Sequence, residues 1–209
     1  MKRFLSVLIS VLAFVFFTSG YVYAKQPIVF VHGFSGVDQL NFPYLYTCFY
    51  NDGWPSSWLY MYTYNSTNGV ANAANVLKSK VNDCLAKTGQ SKVDIVAHSM
   101  GGLVARYYIT KLGGSAKVRH LVTLGAPHHG TDWAYACFFQ SCYDMRPNSA
   151  LINSLGGQGC NISLWSCCDE VIIPNSSAQC GTSVAIGCYG HLSMLASWSV
   201  YTKARAYLW

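Results

Sequence analysis

The chain has little charge. Of its 209 residues 11% are charged, and 14 basic against 8 acidic side chains leave a formal net charge of +6 with no basic cluster. Nucleic-acid binding needs a basic patch or stripe and is therefore not expected. The sequence also lacks internal repeats, linkers and any paired C-x-x-C spacing, so we predict neither a repeat architecture nor a metal site.

Long hydrophobic runs are missing after the N-terminus. The first apolar stretch, residues 4–17, follows Lys2 and Arg3 and is followed by Val-Tyr-Ala at positions 22–24. This stretch is shorter than the roughly 20 residues of a membrane-spanning helix, and the small residues after it suit cleavage. We predict a signal peptide over residues 1–24 and a secreted single domain over residues 25–209; a retained membrane anchor is the alternative.

Cysteine is abundant instead. The nine cysteines are Cys48, Cys84, Cys137, Cys142, Cys160, Cys167, Cys168, Cys180 and Cys188. In an exported protein they predict disulfides, and the odd number leaves at least one free or bridged to another molecule. Six of them follow residue 140, so we expect bridges to brace the loops of the C-terminal part. The pairing stays open, with Cys137–Cys142 as one possible small loop.

Apolar strands alternate with helical patterns along the chain. The strand candidates are Pro27–Val31, Trp58–Tyr64, Val93–Ala97, Val118–Leu124, Ile162–Trp165 and Ser183–Gly187. The helix candidates are Pro43–Asn51, Asn68–Lys87, Met100–Leu112, Ser149–Leu155 and Ser193–Tyr207. This order predicts an α/β fold, a mostly parallel sheet with helices on both faces. Its active site is expected beyond the carboxyl ends of the strands.

Residues 97–101 read Ala-His-Ser-Met-Gly, between a buried-strand pattern and a helical pattern. A sharp strand-to-helix turn needs small residues two before and two after its tip, because side chains there would collide. Ala97 and Gly101 meet this need, with alanine in place of the commoner glycine. We predict a nucleophile elbow that presents the Ser99 hydroxyl over a helix N-terminus, which favours developing negative charge.

The first strand is followed by His-Gly-Phe-Ser-Gly at residues 32–36. Its glycines let a backbone N–H approach a substrate oxygen closely, as an oxyanion hole requires. We predict the N–H groups of Phe34 and of Met100, directly after the nucleophile, as the two donors. The alternative is a structural glycine turn, and His32 is expected to hold the loop rather than to transfer a proton.

Three blocks resemble a known family. Residues 27–36, 93–102 and 121–130 are similar to blocks of secreted α/β-hydrolase lipases, especially small, lid-poor triacylglycerol lipases whose elbow also reads Ala-His-Ser-Met-Gly. The resemblance implies a minimal α/β-hydrolase fold, hydrolysis of lipid esters through a Ser-Asp-His triad, and no cofactor. The chain departs from the family in its cysteine content and in the aromatic-rich segment Ala134–Gly159.

The acid and the histidine should follow Ser99 in that order. Asp169 comes just after a strand candidate and before an apolar, proline-containing turn, which matches the family's acid. Three rivals remain: Asp132 comes early in the chain, Asp144 lies in the departing segment, and Glu170 is adjacent to Asp169.

His191, in the loop that opens the last helical pattern, matches the family's catalytic histidine. It is the only histidine C-terminal to Asp169, because His120, His128 and His129 all precede that residue. His191 is expected to take the Ser99 proton, and Asp169 is expected to hold its imidazole in the right tautomer.

A lipid or small ester is the expected substrate, met at a lipid–water interface. The alternatives are a thioesterase or acyltransferase that uses the same acyl-Ser99 intermediate, and a non-catalytic secreted binding protein with this fold. Only Ala134–Gly159 is long and irregular enough to cover Ser99. A Cys137–Cys142 bridge would pin that segment, so we expect Ser99 to be open or only partly covered.

Overall fold

A computed structural model of the protein describes residues 25–36 and 38–209, so the predicted signal peptide over residues 1–24 lies outside the described residues. Six strands form one sheet in the order β2-β1-β3-β4-β5-β6. The strands are β1 (Ile28–Val31), β2 (Leu59–Tyr60), β3 (Val93–His98), β4 (Val118–Leu124), β5 (Ile162–Trp165) and β6 (Thr182–Ala185). The α-helices are α1 (Asp38–Asn41), α2 (Pro43–Asn51), α3 (Val70–Thr88), α4 (Met100–Lys111), α5 (Gln140–Met145), α6 (Ala150–Leu155) and α7 (Trp198–Arg205).

Two cores cover the two faces of the sheet. Side chains alternate along a strand, so Val29 and Val31 of β1 pack with α3 and α4 while Ile28 and Phe30 pack with α2 and α7. Every residue of β1 and β3 is buried, as expected of central strands covered on both sides. All five strand pairings are parallel. The predicted α/β fold with helices on both faces is confirmed.

The strand order places a switch point between β1 and β3. The chain leaves β1 for β2 on one side and returns to β3 on the other. The loops that follow β1 and β3 therefore diverge at the carboxyl ends of two neighbouring strands and leave a crevice there. These loops carry Phe34 and Ser99.

Two predicted elements differ from the sequence pattern by more than two residues at one end. The strand predicted over Trp58–Tyr64 ends at Tyr60, because the chain then turns to the loop after β1: the Tyr64 hydroxyl donates to the His32 carbonyl at 2.6 Å. The helix predicted over Ser193–Tyr207 is divided into a 3-10 turn and α7. Ser197 makes this division, since its hydroxyl caps the N–H of Val200 at 3.4 Å.

Three disulfides all lie in the C-terminal part of the chain: Cys137–Cys142, Cys160–Cys180 and Cys168–Cys188. The second precedes β5 and β6 and the third follows them, so these two bridges tie the same strand pair at its two ends. Cys48 and Cys84 are free and buried, and Cys167 is free and exposed. No helix in the described part of the chain is long and apolar enough to cross a membrane.

Candidate active site

Ser99 occupies a sharp turn between β3 and α4. Its backbone has φ 54° and ψ −131°, a conformation that is strained for any residue other than glycine. Two glycines leave room for this turn, Gly33 in the loop after β1 and Gly101 in α4. A Cβ at Gly33 would lie 2.7 Å from the Ser99 Cβ, and a Cβ at Gly101 would lie 2.6 Å from the His32 carbonyl oxygen. The local geometry is that of a strand–turn–helix elbow.

Backbone hydrogen bonds fix this turn to the sheet. The Ser99 N–H donates to the Leu124 carbonyl at the end of β4 at 3.0 Å, and the Ser99 carbonyl accepts from the Gly102 N–H at 3.0 Å. Met100 is the first residue of α4, so its N–H has no acceptor within the helix. An unpaired helix N–H beside Ser99 suits an anion.

The loop after β1 is held by His32 and its partners. The His32 ring stacks on the Tyr64 ring with 4.0 Å between centroids, and its Nε2 accepts from the Tyr64 N–H at 3.3 Å. Burial lowers the pKa of His32, which keeps the ring neutral. The neighbouring Ser35 N–H donates to the Ser66 hydroxyl at 2.8 Å. These contacts fix the backbone around Phe34.

Asp169 and His191 form a buried pair. The His191 Nδ1 lies 2.9 Å from both carboxylate oxygens of Asp169. One of these oxygens also accepts the N–H groups of Val171 at 2.9 Å and Ile172 at 3.0 Å. Burial alone would raise the pKa of Asp169, but the His191 contact and the two N–H groups outweigh it and lower that pKa below its usual value. Since an ionised carboxylate only accepts, Nδ1 carries the proton and Nε2 is free to accept one.

Two further residues hold the His191 backbone, and the sequence did not predict either contact. The Glu170 carboxylate accepts the His191 N–H at 3.0 Å, and the His98 Nε2 donates to the His191 carbonyl at 2.9 Å. Burial, with His191 nearby, lowers the pKa of His98 to about 3, so its ring is neutral and its Nε2 carries the proton. The position of His98 directly before Ser99 was the only signal in the sequence.

The rival acids have other environments. Glu170 binds the backbone of His191 rather than its ring. The Asp144 carboxylate accepts the Val70 N–H at 2.7 Å and joins α5 to the start of α3. Asp132 is exposed in a 3-10 turn. The carboxylate on the His191 ring is therefore that of Asp169.

The loops of Asp169 and His191 are tied together. The Cys168–Cys188 disulfide joins them with 4.8 Å between Cα atoms. The Ser166 hydroxyl lies between the same loops, where it accepts the Tyr189 N–H at 2.8 Å and the Cys168 N–H at 3.1 Å. The expectation that bridges brace these loops is confirmed.

A cavity of about 170 Å³ opens beside Ser99 and His191. Its other lining residues are Phe34, Pro127, Thr131, Trp133, Met145, Glu170, Val171, Ile172 and Leu192. A groove of about 540 Å³ lies next to it and shares Phe34 and Leu192 with it. Ser99 is 7% exposed, so it is reached through this cavity rather than from an open surface.

The segment Ala134–Gly159 is anchored. Ala134 and Leu155 are fully buried, and the Cys137–Cys142 bridge closes a short loop near the start of the segment. The Arg146 guanidinium donates to the carbonyls of Ala134 at 3.3 Å and Cys137 at 3.2 Å. These contacts tie both ends of the segment to the rest of the domain.

One group of metal-ligating residue types lies in the described part of the chain: His128, Cys160 and Cys180, whose donor atoms all lie within 4.8 Å of one another. The two cysteines are joined in a disulfide, so neither offers the thiolate that binds metal ions.

Comparison with known proteins identifies the relatives of this chain. A triacylglycerol lipase of Pseudarthrobacter phenanthrenivorans is 29% identical over 119 residues, which are 54% of this chain and 37% of that protein. A triacylglycerol lipase of Vibrio cholerae is 30% identical over 109 residues, 47% of this chain and 35% of that protein. The chain thus spans about a third of the length of the curated relatives it matches.

Solved structures share the fold. The mature form of a Bacillus licheniformis lipase matches with a TM-score of 0.77 and 17% identity, over 89% of this chain and 93% of the other. Aspergillus fumigatus lipase B matches with a TM-score of 0.74 and 19% identity, over 86% of this chain and 51% of the other.

The family described as lipase (class 2) matches residues 25–137, which include the loop after β1, the Ser99 elbow and the end of β4. The match covers more than half of the chain. The chain belongs to the class 2 lipase family.

Proposed function

We propose that the protein is a secreted carboxylic-ester hydrolase of the lipase type, which cleaves acylglycerol esters with Ser99, Asp169 and His191 as its catalytic triad. The observation that carries this proposal is that His191 pairs with a buried carboxylate through Nδ1 and lines the same cavity as Ser99. A nucleophile at a strained elbow, a base and an orienting acid are the parts that acyl transfer needs.

The reaction begins at the Ser99 hydroxyl. Its oxygen attacks the ester carbonyl while His191 Nε2 takes the hydroxyl proton, and the charge of the imidazolium is balanced by Asp169. The N–H groups of Phe34 and Met100 hold the oxyanion. The alcohol leaves with the proton from His191, and a water molecule activated by the same ring then releases the acid from acyl-Ser99.

The surface around the cavity supports a lipid substrate. Leu40 is 79% exposed and Leu192 64%, and both line the groove beside the catalytic cavity. Phe139 is half-exposed and its ring contacts the Phe34 ring with 5.9 Å between centroids. Exposed apolar side chains at the mouth of a site suit an aggregated lipid surface. Because the covering segment is anchored, we expect hydrolysis of soluble esters without a sharp rise in rate when droplets form.

Export is part of the proposal. Three disulfides support it, because such bridges persist in oxidising compartments. Residues 1–24 would act as the signal peptide. Sequencing of the N-terminus of secreted protein should then begin at Lys25, and recovery of the full N-terminus from the cell fraction alone would contradict the proposal.

The test of the activity uses p-nitrophenyl butanoate and a serine-directed phosphonate with the wild type and Ser99→Ala. The wild type should hydrolyse the ester and be labelled on Ser99, whereas Ser99→Ala should do neither while its circular dichroism stays native. A folded wild type that is neither labelled nor active would support the non-catalytic alternative. Transfer to added alcohols or thiols faster than to water would identify an acyltransferase.

A further inference from the structure

The cavity beside Ser99 has a mouth and a closed floor. At the mouth, Leu192 is 64% exposed and Trp133 36% exposed. At the opposite extreme, Met145 is 2% and Ile172 is 1% exposed, although both line the same cavity. The exposed side chains mark the mouth of the cavity, and Met145 and Ile172 belong to the part of its wall that faces the core.

The floor is fixed by the surrounding chain. Met145 belongs to the hydrophobic core that also contains residues of α3 and α4, and its carbonyl accepts the Thr131 N–H at 2.8 Å. The Thr131 hydroxyl donates to the Val171 carbonyl at 2.6 Å and accepts the Ile173 N–H at 3.0 Å. The polar group of Thr131 is thereby satisfied, so the floor presents mainly apolar surface, and these bonds fix the backbone around it.

The size of the cavity limits what it holds. An apolar cavity of roughly 150 Å³ accommodates a benzene molecule, which has six carbon atoms. The cavity beside Ser99 has about 170 Å³ and includes the space in which the ester carbonyl must sit. Acyl groups of about four to six carbon atoms therefore fill it, and each further methylene has to displace the floor or leave through the mouth.

The neighbouring groove offers more space than the cavity beside Ser99. It is about three times larger, with about 540 Å³ against about 170 Å³, and it is lined by Leu40, Tyr44 and Leu195 among others. Phe34 and Leu192 belong to both linings, so a substrate bonded to Ser99 can extend into both spaces. The larger space suits the bulkier part of an ester.

We infer that the substrates are esters of short fatty acids with a bulky apolar alcohol part, and that Met145 at the cavity floor sets the limit on acyl length. The acyl chain lies between Ser99 and Met145, and the alcohol part lies in the groove lined by Leu40 and Tyr44. This inference rests on the proposed hydrolase activity and adds its acyl specificity.

The experiment measures kcat/KM for p-nitrophenyl acetate, butanoate, hexanoate, octanoate and dodecanoate, all below their solubility limits. The wild type should be fastest on butanoate or hexanoate and about tenfold slower or more on dodecanoate, since one methylene too many in an apolar pocket costs about tenfold. Met145→Ala should raise the octanoate-to-butanoate ratio of kcat/KM about tenfold. Met61→Ala is the matched control, because Met61 lines a separate surface pocket, and its ratio should stay that of the wild type.

A second variant covers the case in which Met145→Ala does not fold. Val171→Phe places a larger side chain in the cavity and should lower kcat/KM on hexanoate about tenfold relative to acetate. A flat profile from butanoate to dodecanoate, or a ratio that neither variant changes, overturns the inference while the hydrolase activity stands. A folded wild type that hydrolyses none of these esters refutes the proposed function instead.

Discussion

The part of the chain that carries Ser99 and the part that carries Asp169 and His191 are held in different ways. Up to β4 the site rests on fully buried strands, glycines and backbone hydrogen bonds, and the two cysteines of this part, Cys48 and Cys84, are free. After β4 the strands have four residues each, β6 is largely exposed, and three disulfides are present. Steric packing positions the nucleophile, and covalent and polar ties position its partners.

The largest effect is expected where the two parts meet. Asp169→Asn should keep the fold but lower kcat roughly 10⁴-fold, because an amide favours the wrong tautomer of His191. Asp132→Asn is the control, since this residue is exposed and was the early rival for the acid. Hydrolysis of p-nitrophenyl butanoate measures kcat for both variants. If Asp132→Asn proved the more damaging change, the assignment of Asp169 would be wrong.

The packing of the nucleophile is tested by Gly33→Ala. The new methyl carbon would lie 2.7 Å from the Ser99 Cβ, so either the elbow or the loop after β1 must shift. We expect kcat/KM to fall about 100-fold, since small misplacements of reacting groups have effects of this size. Gly157→Ala is matched to it, because a Cβ there meets nothing within 4 Å. Equal activity of the two variants would show that steric contact does not position Ser99.

The covalent ties are tested by a pair of double variants. Cys168→Ser/Cys188→Ser and Cys160→Ser/Cys180→Ser each open a bridge with a sequence separation of 20, so chain entropy predicts similar losses of about 3 kcal/mol in the free energy of unfolding. Only the first pair joins the loops of Asp169 and His191. We expect it to lower kcat about tenfold at a temperature where both variants are folded. Equal kcat in the two double variants would contradict this role.

The smallest effect concerns His98, which connects the two parts through the His191 carbonyl. Its folded pKa of about 3 lies below the value of about 6.5 in an unfolded chain. The unfolded chain therefore takes up a proton between pH 7 and pH 5 that the folded protein does not, and this group lowers the free energy of unfolding by about 2 kcal/mol over that interval.

His98→Gln keeps a donor for the His191 carbonyl but does not titrate. Urea denaturation at pH 7 and pH 5 should show a loss of stability on acidification that is smaller than that of the wild type by about 2 kcal/mol. His129→Gln is the control, because that histidine is exposed. An unchanged loss in His98→Gln would mean that the ring is protonated in the folded protein.

Local patterns predicted the first part of the chain well. The strand and helix on either side of Ser99 and the small residues around it follow from steric rules that act over a few residues. The fold class and the bounds of α2, β4 and β5 agree with the sequence pattern for the same reason. The strand predicted through Tyr64 was too long, because the contact between Tyr64 and His32 joins residues 32 positions apart.

The amino-acid sequence by itself determined the elbow at Ser99, the alternation of strands and helices, and the supply of cysteines for disulfides. Only the tertiary structure decided which cysteines pair, that Asp169 rather than Glu170 contacts the His191 ring, and that His98 and Glu170 hold the backbone of His191. The tertiary structure also decided the size of the cavity beside Ser99. The physical reason is range: elbow geometry depends on neighbouring residues, whereas the His98–His191 contact spans 93 positions and exists only once the sheet has formed.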